Sequence, residues 1–432
     1  MRQKLPIDKF TEPVNKFIHQ EHTSGIVLFI SVLAAIAWVN SPFAHSYHHL
    51  WDIKFSLGFG DYVLNHPLHL WINDGLMALF FFVIGLELKR EFMAGELSTI
   101  KKASLPMVAA LGGMLVPALI YFFINKGTES EHGWGIPMAT DIAFALALLS
   151  LAGKHIPTSV KVFLSALAVA DDLGAVLVIA IFYSTHIALV PLTIGIWLLV
   201  ILLIGNKMGI RSIAFYLVIG FAVWVAFLLS GVHATIAGVL VAFTIPARTR
   251  INEKNYAESL KKLLFDFEKQ IPNNSTLTTV EQHHTIEKIK ELSMDAETPL
   301  QKVEYLLHPW VAFVIMPLFA LANAGIIIGA DFFTSIMNPV SMGVAIGLLA
   351  GKFAGVLMAT WLMVKFGAQL PAKANWKQIT GVALLAGVGF TMSLFISGLA
   401  FTHAEMVDQA KYGILLASLL AGVLGVVVLK KS

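Results

Sequence analysis

The chain contains no cysteine, which excludes disulfides, thiolate metal sites and cysteine nucleophiles. Charge is nearly as scarce. Asp, Glu, Lys and Arg make up 13 % of its 432 residues, against about a quarter in a soluble chain. The net charge is only +3, too little to recommend nucleic acid as a partner. Histidines show no ligand-like clustering, which disfavours a transition metal. The polar N-terminus carries Arg2, Lys4, Lys9 and Lys16 and leads into an apolar run without a small-residue cleavage site. No secretory signal peptide is therefore expected.

What fills the chain instead is apolar: 57 % hydrophobic residues and a mean hydropathy of +0.76. The apolar runs recur as twelve segments, at 23–40, 68–88, 103–124, 133–151, 158–183, 188–205, 212–229, 232–246, 309–329, 338–364, 377–401 and 411–429. Most approach the roughly 20 residues a helix needs to cross the hydrocarbon core. Lipid cannot satisfy free backbone N–H and C=O groups, so the spans must be helical. The expected class is an all-α, multi-pass membrane protein, with 232–246 as its shortest span.

Basic residues set the orientation. With both termini on one side of the membrane, only Lys54, Lys126 and Lys411 fall on the other, and Lys352 falls inside the tenth segment. Every remaining Lys and Arg shares the side of the termini, which the positive-inside rule assigns to the cytoplasm. A base at the depth of Lys352 costs about 2.5–3.5 kcal/mol on insertion scales and needs a partner or a purpose.

Two stretches lie outside the spans. Residues 41–67, on the outer side, contain Ile53-Lys54-Phe55-Ser56-Leu57 and Tyr62-Val63-Leu64 around Gly58-Phe59-Gly60-Asp61, the pattern of a β-hairpin. Its edge suits a contact between two copies. Residues 247–307 form a charged cytoplasmic loop in which Leu260, Leu263, Leu264 and Phe267 recur at helical spacing. This predicts an amphipathic helix lying on the membrane or on neighbouring loops.

Acidic residues well inside the spans are few: Asp141 in segment four, and Asp171 and Asp172 in segment five. Asp74 lies near an outer end and Glu87 near an inner one. Intramembrane carboxylates are functional candidates by default. For a lone Asp a structural ion pair is an equal alternative, but it fits two consecutive Asp poorly, because Lys352 is the one buried base. Neighbours on a helix point about 100° apart and can serve different partners. Two carboxylates this close in low dielectric do not readily both ionise, and their titrations couple. A carboxyl that loses its proton to a bound hard cation makes proton and cation compete for one place. Sodium takes oxygen ligands, and Thr140 beside Asp141 adds neutral ones.

Helix breakers complete the pattern. Gly133, Gly135 and Pro137 precede Thr140-Asp141, and Gly387-Val388-Gly389-Phe390-Thr391 interrupts segment eleven. Such paired interruptions point to a transporter site at mid-membrane, although either alone is more often a packing device. Broken helices leave positive and negative ends in the lipid core, and Asp141 and Lys352 have the signs to balance them. His233, at a short outer turn, reads as a hydrogen-bonded interfacial histidine or as a pH-modulating group.

At these residues the chain resembles the NhaA-type sodium/proton antiporters. The likeness rests on Ala168-Val169-Ala170-Asp171-Asp172-Leu173-Gly174-Ala175, Ala139-Thr140-Asp141-Ile142-Ala143-Phe144, Gly85-Leu86-Glu87-Leu88-Lys89-Arg90-Glu91, Leu307-His308-Pro309-Trp310 and Gly387-Val388-Gly389-Phe390-Thr391-Met392-Ser393. It extends from about residue 20 to 429. The resemblance implies one transmembrane domain over 1–432 with twelve helices. Inverted three-helix repeats would lie at about 103–183 and 338–429, with crossed discontinuous helices at segments four and eleven. It implies an electrogenic, pH-regulated exchanger of the bacterial inner membrane, not an enzyme, carrying two protons against one Na+ or Li+ by alternating access and using no cofactor. Asp172 would be the principal Na+ ligand, with Asp171 and Thr140 contributing. Asp171 would carry a proton and pair with Lys352 when the cation is absent, and Thr140 and Asp141 would line the crossing. The family's pH-response cluster maps onto Glu87, Arg90, Glu91, Glu304 and His308, and its homodimer forms through the outer hairpin. Three departures stand out: loop 247–307 is longer than the family pattern, Gln301-Lys302 replaces two basic residues, and Phe353 replaces the usual proline after Gly351-Lys352.

Three other classes share some of these features. An intramembrane aspartyl protease needs two Asp on different helices, and the GxGD match at 58–61 falls in a polar outer loop. A sodium-driven symporter needs an organic-solute pocket. A cation channel would use an acidic ring, to which a mid-membrane Lys352 is poorly suited.

Overall fold

A computed structural model describes residues 23–59, 62–153, 155–184, 187–270, 277–329 and 336–432. Arg2, Lys4, Lys9, Lys16, Lys154 and the Gly60-Asp61 tip of the expected hairpin lie outside them. Among the described residues nine helices are long and apolar enough to cross a membrane, or up to 11 if each of two bent pairs counts as one span. Ala234–Thr244, the expected short span, is a shorter apolar helix. The chain is a multi-pass membrane protein.

Helix ends differ from the apolar runs for identifiable reasons. The second run was expected to stop at 88, where charge begins, yet the helix continues from Leu68 through Lys89-Arg90-Glu91 to Ala94 and ends at Gly95. Charged residues of high helix propensity extend a helix beyond the lipid at no cost. The ninth run was expected to start at 309, yet the helix spans Pro299–Asn323. Thr298 caps it, its hydroxyl accepting from Gln301 N at 3.1 Å, and Pro299 takes the first turn. The hairpin is present: Lys54–Phe59 pairs antiparallel with Tyr62–Pro67, with Lys54 opposite Pro67 and Phe59 opposite Tyr62. Trp71 Nε1 donates to Phe55 O at 2.9 Å, tying this sheet to the next helix. A short helix not foreseen, Ala44–Asp52, precedes it and turns 114° from Thr23–Val39.

The helices divide into two packed groups. In one, Ile100–Asn125, Thr158–Phe182, Pro339–Lys365, Trp376–Ala400 and Ala404–Lys430 pack together. Trp376–Ala400 is its centre, with 89 % of its apolar window buried against 17 % for the peripheral Leu189–Lys207. In the other, Ala234–Thr244 packs against Leu68–Ala94 and Ile213–Ser230. Its contact with Leu68–Ala94 is nearly backbone to backbone. A Cβ on Gly238 would lie 2.3 Å from Ala78 O, and one on Gly85 would lie 2.7 Å from Ala242 Cβ. Small residues let membrane helices approach this closely. Gly238→Val is therefore expected to cost about 1–3 kcal/mol through overpacking. A lower thermal unfolding midpoint in detergent reports the loss, and an unchanged midpoint would refute the close contact.

The cytoplasmic-loop prediction is half of what is there. Glu253–Glu268 is helical, with Leu260, Leu263 and Phe267 half-buried but Leu264 exposed, and it packs on a second helix, Val280–Ala296. Tyr256 OH to Ser293 Oγ at 3.1 Å and Gln270 Nε2 to Thr285 Oγ1 at 3.0 Å join the two. Arg211 staples the base of this arm, donating to Arg248 O at 3.1 Å, Met294 O at 3.2 Å and Glu297 O at 2.5 Å. Arg211→Gln is expected to loosen the arm and speed tryptic cleavage at Lys261 and Lys262, followed by mass spectrometry. Wild-type cleavage rates would mean that the staple carries no stability.

Candidate functional site

The helix Thr158–Phe182 carries the aspartate pair with buried residues from Val160 to Ile179 around it. Asp171 and Asp172 are each 1 % exposed, and Lys352 is fully buried. Lys352 Nζ lies 2.5 Å from Asp171 Oδ2 and also donates to Met138 O. Thr140 Oγ1 lies 2.7 Å from the same Asp171 oxygen and 2.9 Å from Ala386 O. One hydroxyl proton thus faces two acceptors. In contrast, Asp171 Oδ1 and both oxygens of Asp172 are buried without a hydrogen-bond partner among the described residues. Such oxygens are costly to leave unpaired. Among the described residues, Asp171, Lys352, Asp141 and Glu87 lie within electrostatic reach of Asp172.

The neighbouring backbone is broken where the glycines and prolines predict. The 3-10 stretch Glu129–Met138 gives way to an extended chain at Ala139–Asp141, and Ile142–Ala152 resumes with a 44° bend. Opposite it, Trp376–Ala386 ends at Gly387 and Phe390–Ala400 begins after Gly389. Broken backbone in lipid survives only if its polar groups find partners. Here Asp141 serves both restarts. Its Oδ1 accepts from Phe144 N at 2.9 Å, and its Oδ2 accepts from Thr391 N at 3.2 Å and Thr391 Oγ1 at 2.5 Å. Asp141 N donates to Val388 O at 2.7 Å. One carboxylate therefore meets two positive helix ends, while Lys352 meets the negative end at Met138.

Side chains also hold the upstream half. Tyr121 OH donates to Ser130 O at 2.8 Å, Tyr183 OH to His132 O at 2.9 Å and Ser393 Oγ to Ile136 O at 2.8 Å. Lys352 itself follows a π-turn at Gly347–Gly351, a feature frequent at functional sites. Gly351 sits so close to the Ile100–Asn125 helix that a Cβ would lie 2.9 Å from Pro117 Cα. Phe353 leaves the helix after the lysine unbroken through Lys365.

The five residues Thr140, Asp141, Asp171, Asp172 and Lys352 thus converge. A second group lies on the facing ends of Leu68–Ala94 and Pro299–Asn323. Arg90 pairs with Glu304 and lies 3.5 Å from Glu91, whose other oxygen accepts from Glu96 N at 3.0 Å. Glu87 is in electrostatic reach of Glu304, Arg90 and Glu91, and His308 of Arg90. His233 stands apart, at the start of Ala234–Thr244, where its Nε2 donates to Tyr183 O at 2.8 Å. Sequence reasoning missed the hydroxyls of Thr391, Ser393 and Tyr183. Polar residues inside apolar runs were the available signal for the first two. The carbonyls of Met138 and Ala386 carry no side-chain signature.

With this geometry in hand, the chain can be compared with known proteins. Residues 15–429 match the family model described as Na+/H+ antiporter 1. The Na+/H+ antiporter NhaA of Oleidesulfovibrio alaskensis is 48 % identical over 96 % of this chain and 93 % of its own. NhaA 2 of Syntrophotalea carbinolica is 46 % identical over 98 % of this chain and 97 % of its own. NhaA 1 of Psychromonas ingrahamii is 48 % identical over 96 % and 95 %.

Proposed function

The chain belongs to the Na+/H+ antiporter 1 family, and from that premise we propose that it exchanges Na+ or Li+ for protons across a bacterial inner membrane by alternating access. It is a transporter and not an enzyme. The observation that carries the reading is Asp172, a buried carboxylate with no hydrogen-bond partner among the described residues, beside a carboxylate that already has one. A buried oxygen pair of this kind needs either a proton or a cation, and the two exclude each other.

Asp172 is the principal sodium ligand, and Asp171 on the same helix and Thr140 on the extended stretch Ala139–Asp141 complete the oxygen set. Lys352 holds Asp171 while the cation is absent. Two protons returned per sodium make the cycle electrogenic, in keeping with the resemblance. Asp141 stays with the two helix ends that it caps. The Arg90–Glu304 pair, with Glu87, Glu91 and His308, is the cytoplasmic pH-response region, and His233 a further modulator on the outer side.

Counting both bent pairs and Ala234–Thr244 as spans brings the total to twelve. The interrupted helices occupy corresponding middle positions in 103–183 and 338–429, as inverted repeats require. Both termini then lie in the cytoplasm, and the hairpin of Lys54–Phe59 and Tyr62–Pro67 faces outward as the homodimer edge, the body of the protein being embedded in lipid.

Everted vesicles energised with an acid interior test the exchange. Addition of Na+ or Li+ dissipates the pH gradient, while K+ leaves it intact. Dissipation that required an organic solute would point to a symporter. Collapse by every monovalent cation would point to a channel.

A further inference from the structure

Thr140 sits in the short extended stretch Ala139–Asp141, and its hydroxyl position depends on what holds the chain on either side. Downstream the hold is the Asp141 cap, with bonds to Phe144, Thr391 and Val388. Upstream, the discontinuous helix Phe390–Ala400 contributes one rung: the fully buried Ser393, whose Oγ donates to Ile136 O at 2.8 Å. Lys352 holds the next free carbonyl, Met138 O, from a different helix.

Ser393 lies in the first turn of its helix, against Gly389. Its N donates to Gly389 O at 3.0 Å in the first turn of its helix. A Cβ on Gly389 would lie 2.2 Å from Ser393 Oγ and 3.1 Å from Ala139 O, the carbonyl just before Thr140. The hydroxyl, the Ala139 peptide and the glycine backbone are therefore packed in one layer, and a side chain at position 389 would meet the hydroxyl.

We infer that Ser393 is a positioning residue for cation recognition: through Ile136 it fixes the upstream edge of the crossing, and so the placement of Thr140 beside Asp171. The inference rests on the antiport reading above. Selection among hard cations depends on cavity size and on the rigidity of the ligand set. A looser upstream edge lets the site close on a smaller ion or open for a larger one, so discrimination between Na+ and Li+ falls with affinity. The maximal rate, set by steps that do not involve this rung, is retained.

The test compares Ser393→Ala with Ser393→Thr in everted vesicles at one fixed pH, titrating NaCl and LiCl separately. Ser393→Ala should raise KM for Na+ roughly 3- to 10-fold, the range of one lost hydrogen bond. The Na+/Li+ ratio of KM values should change by more than about twofold, with the maximal rate retained. Ser393→Thr, which keeps the hydroxyl, should restore both values. If Ser393→Ala does not reach the membrane, Ser393→Cys preserves the volume with a weaker donor and should give an intermediate KM. Unchanged KM values for both ions, or equal rises that leave their ratio constant, overturn the inference. Wild-type exchange lost in Asp172→Asn but untouched in Ser393→Ala would refute this inference alone. An inactive wild type would instead refute the antiport reading on which it rests.

Discussion

Asp172→Asn is expected to abolish Na+- and Li+-driven dissipation of a pH gradient, by about 100-fold or more, while the protein still inserts and folds. Asn keeps the volume while it removes the charge and the titratable proton and turns one cation-binding oxygen into an NH2 donor. Removing one partner of a buried charge contact costs about 3 kcal/mol or more, or about 100-fold in affinity. No hydrogen bond of the fold should fail, because neither Asp172 oxygen makes one to the described residues. The two consequences separate the role from a structural one: retained folding with lost exchange is specific to a ligand. Normal exchange in Asp172→Asn would move the cation to Asp171 and break the division of labour between the two.

Lys352→Met is expected to behave in the opposite way, damaging stability first. It strands Asp171 as a buried carboxylate with Thr140 as its remaining partner and frees Met138 O. Breaking one side of a buried ion pair costs about 3–5 kcal/mol, whereas replacing both sides is often neutral. The double variant Asp171→Asn/Lys352→Met should therefore recover most of the thermal unfolding midpoint that Lys352→Met loses. Exchange should stay absent in both. A single variant as stable as the wild type would show that the pair contributes nothing to the fold, and additive losses in the double variant would show that the two residues act separately.

Much of this site could be read from residues alone because its chemistry is carried by charges that lipid makes conspicuous. Asp141, Asp171, Asp172 and Lys352 stand out in apolar runs, and the Gly and Pro residues around them locate the two breaks. Where the reading fell short, the cause was also physical. Hydropathy marks where lipid begins, not where a helix ends, so the helices at 68–94 and 299–323 ran beyond their apolar segments. The second helix of the arm, Val280–Ala296, is mostly polar, and its short stripe of Ile286, Ile289 and Leu292 was passed over within a charged loop. The hydrogen bonds from Tyr121, Tyr183 and Ser393 to backbone carbonyls depend on where the chain is bent. A carbonyl left free by a bend looks in sequence like any other.

The crossing also has a consequence in time. Asp141 is 250 residues from Thr391, and Ile136 is 257 from Ser393. At typical synthesis rates the chain needs roughly 12–50 s to reach the second member of each pair after making the first. Through that interval the first broken helix is already made, yet its capping carboxylate and free carbonyls lack their final partners. The first broken helix therefore reaches its final hydrogen bonds only after Phe390–Ala400 has been made. Biogenesis should be most vulnerable there, and truncation between residues 200 and 380 should yield chains that are degraded rather than half-built transporters.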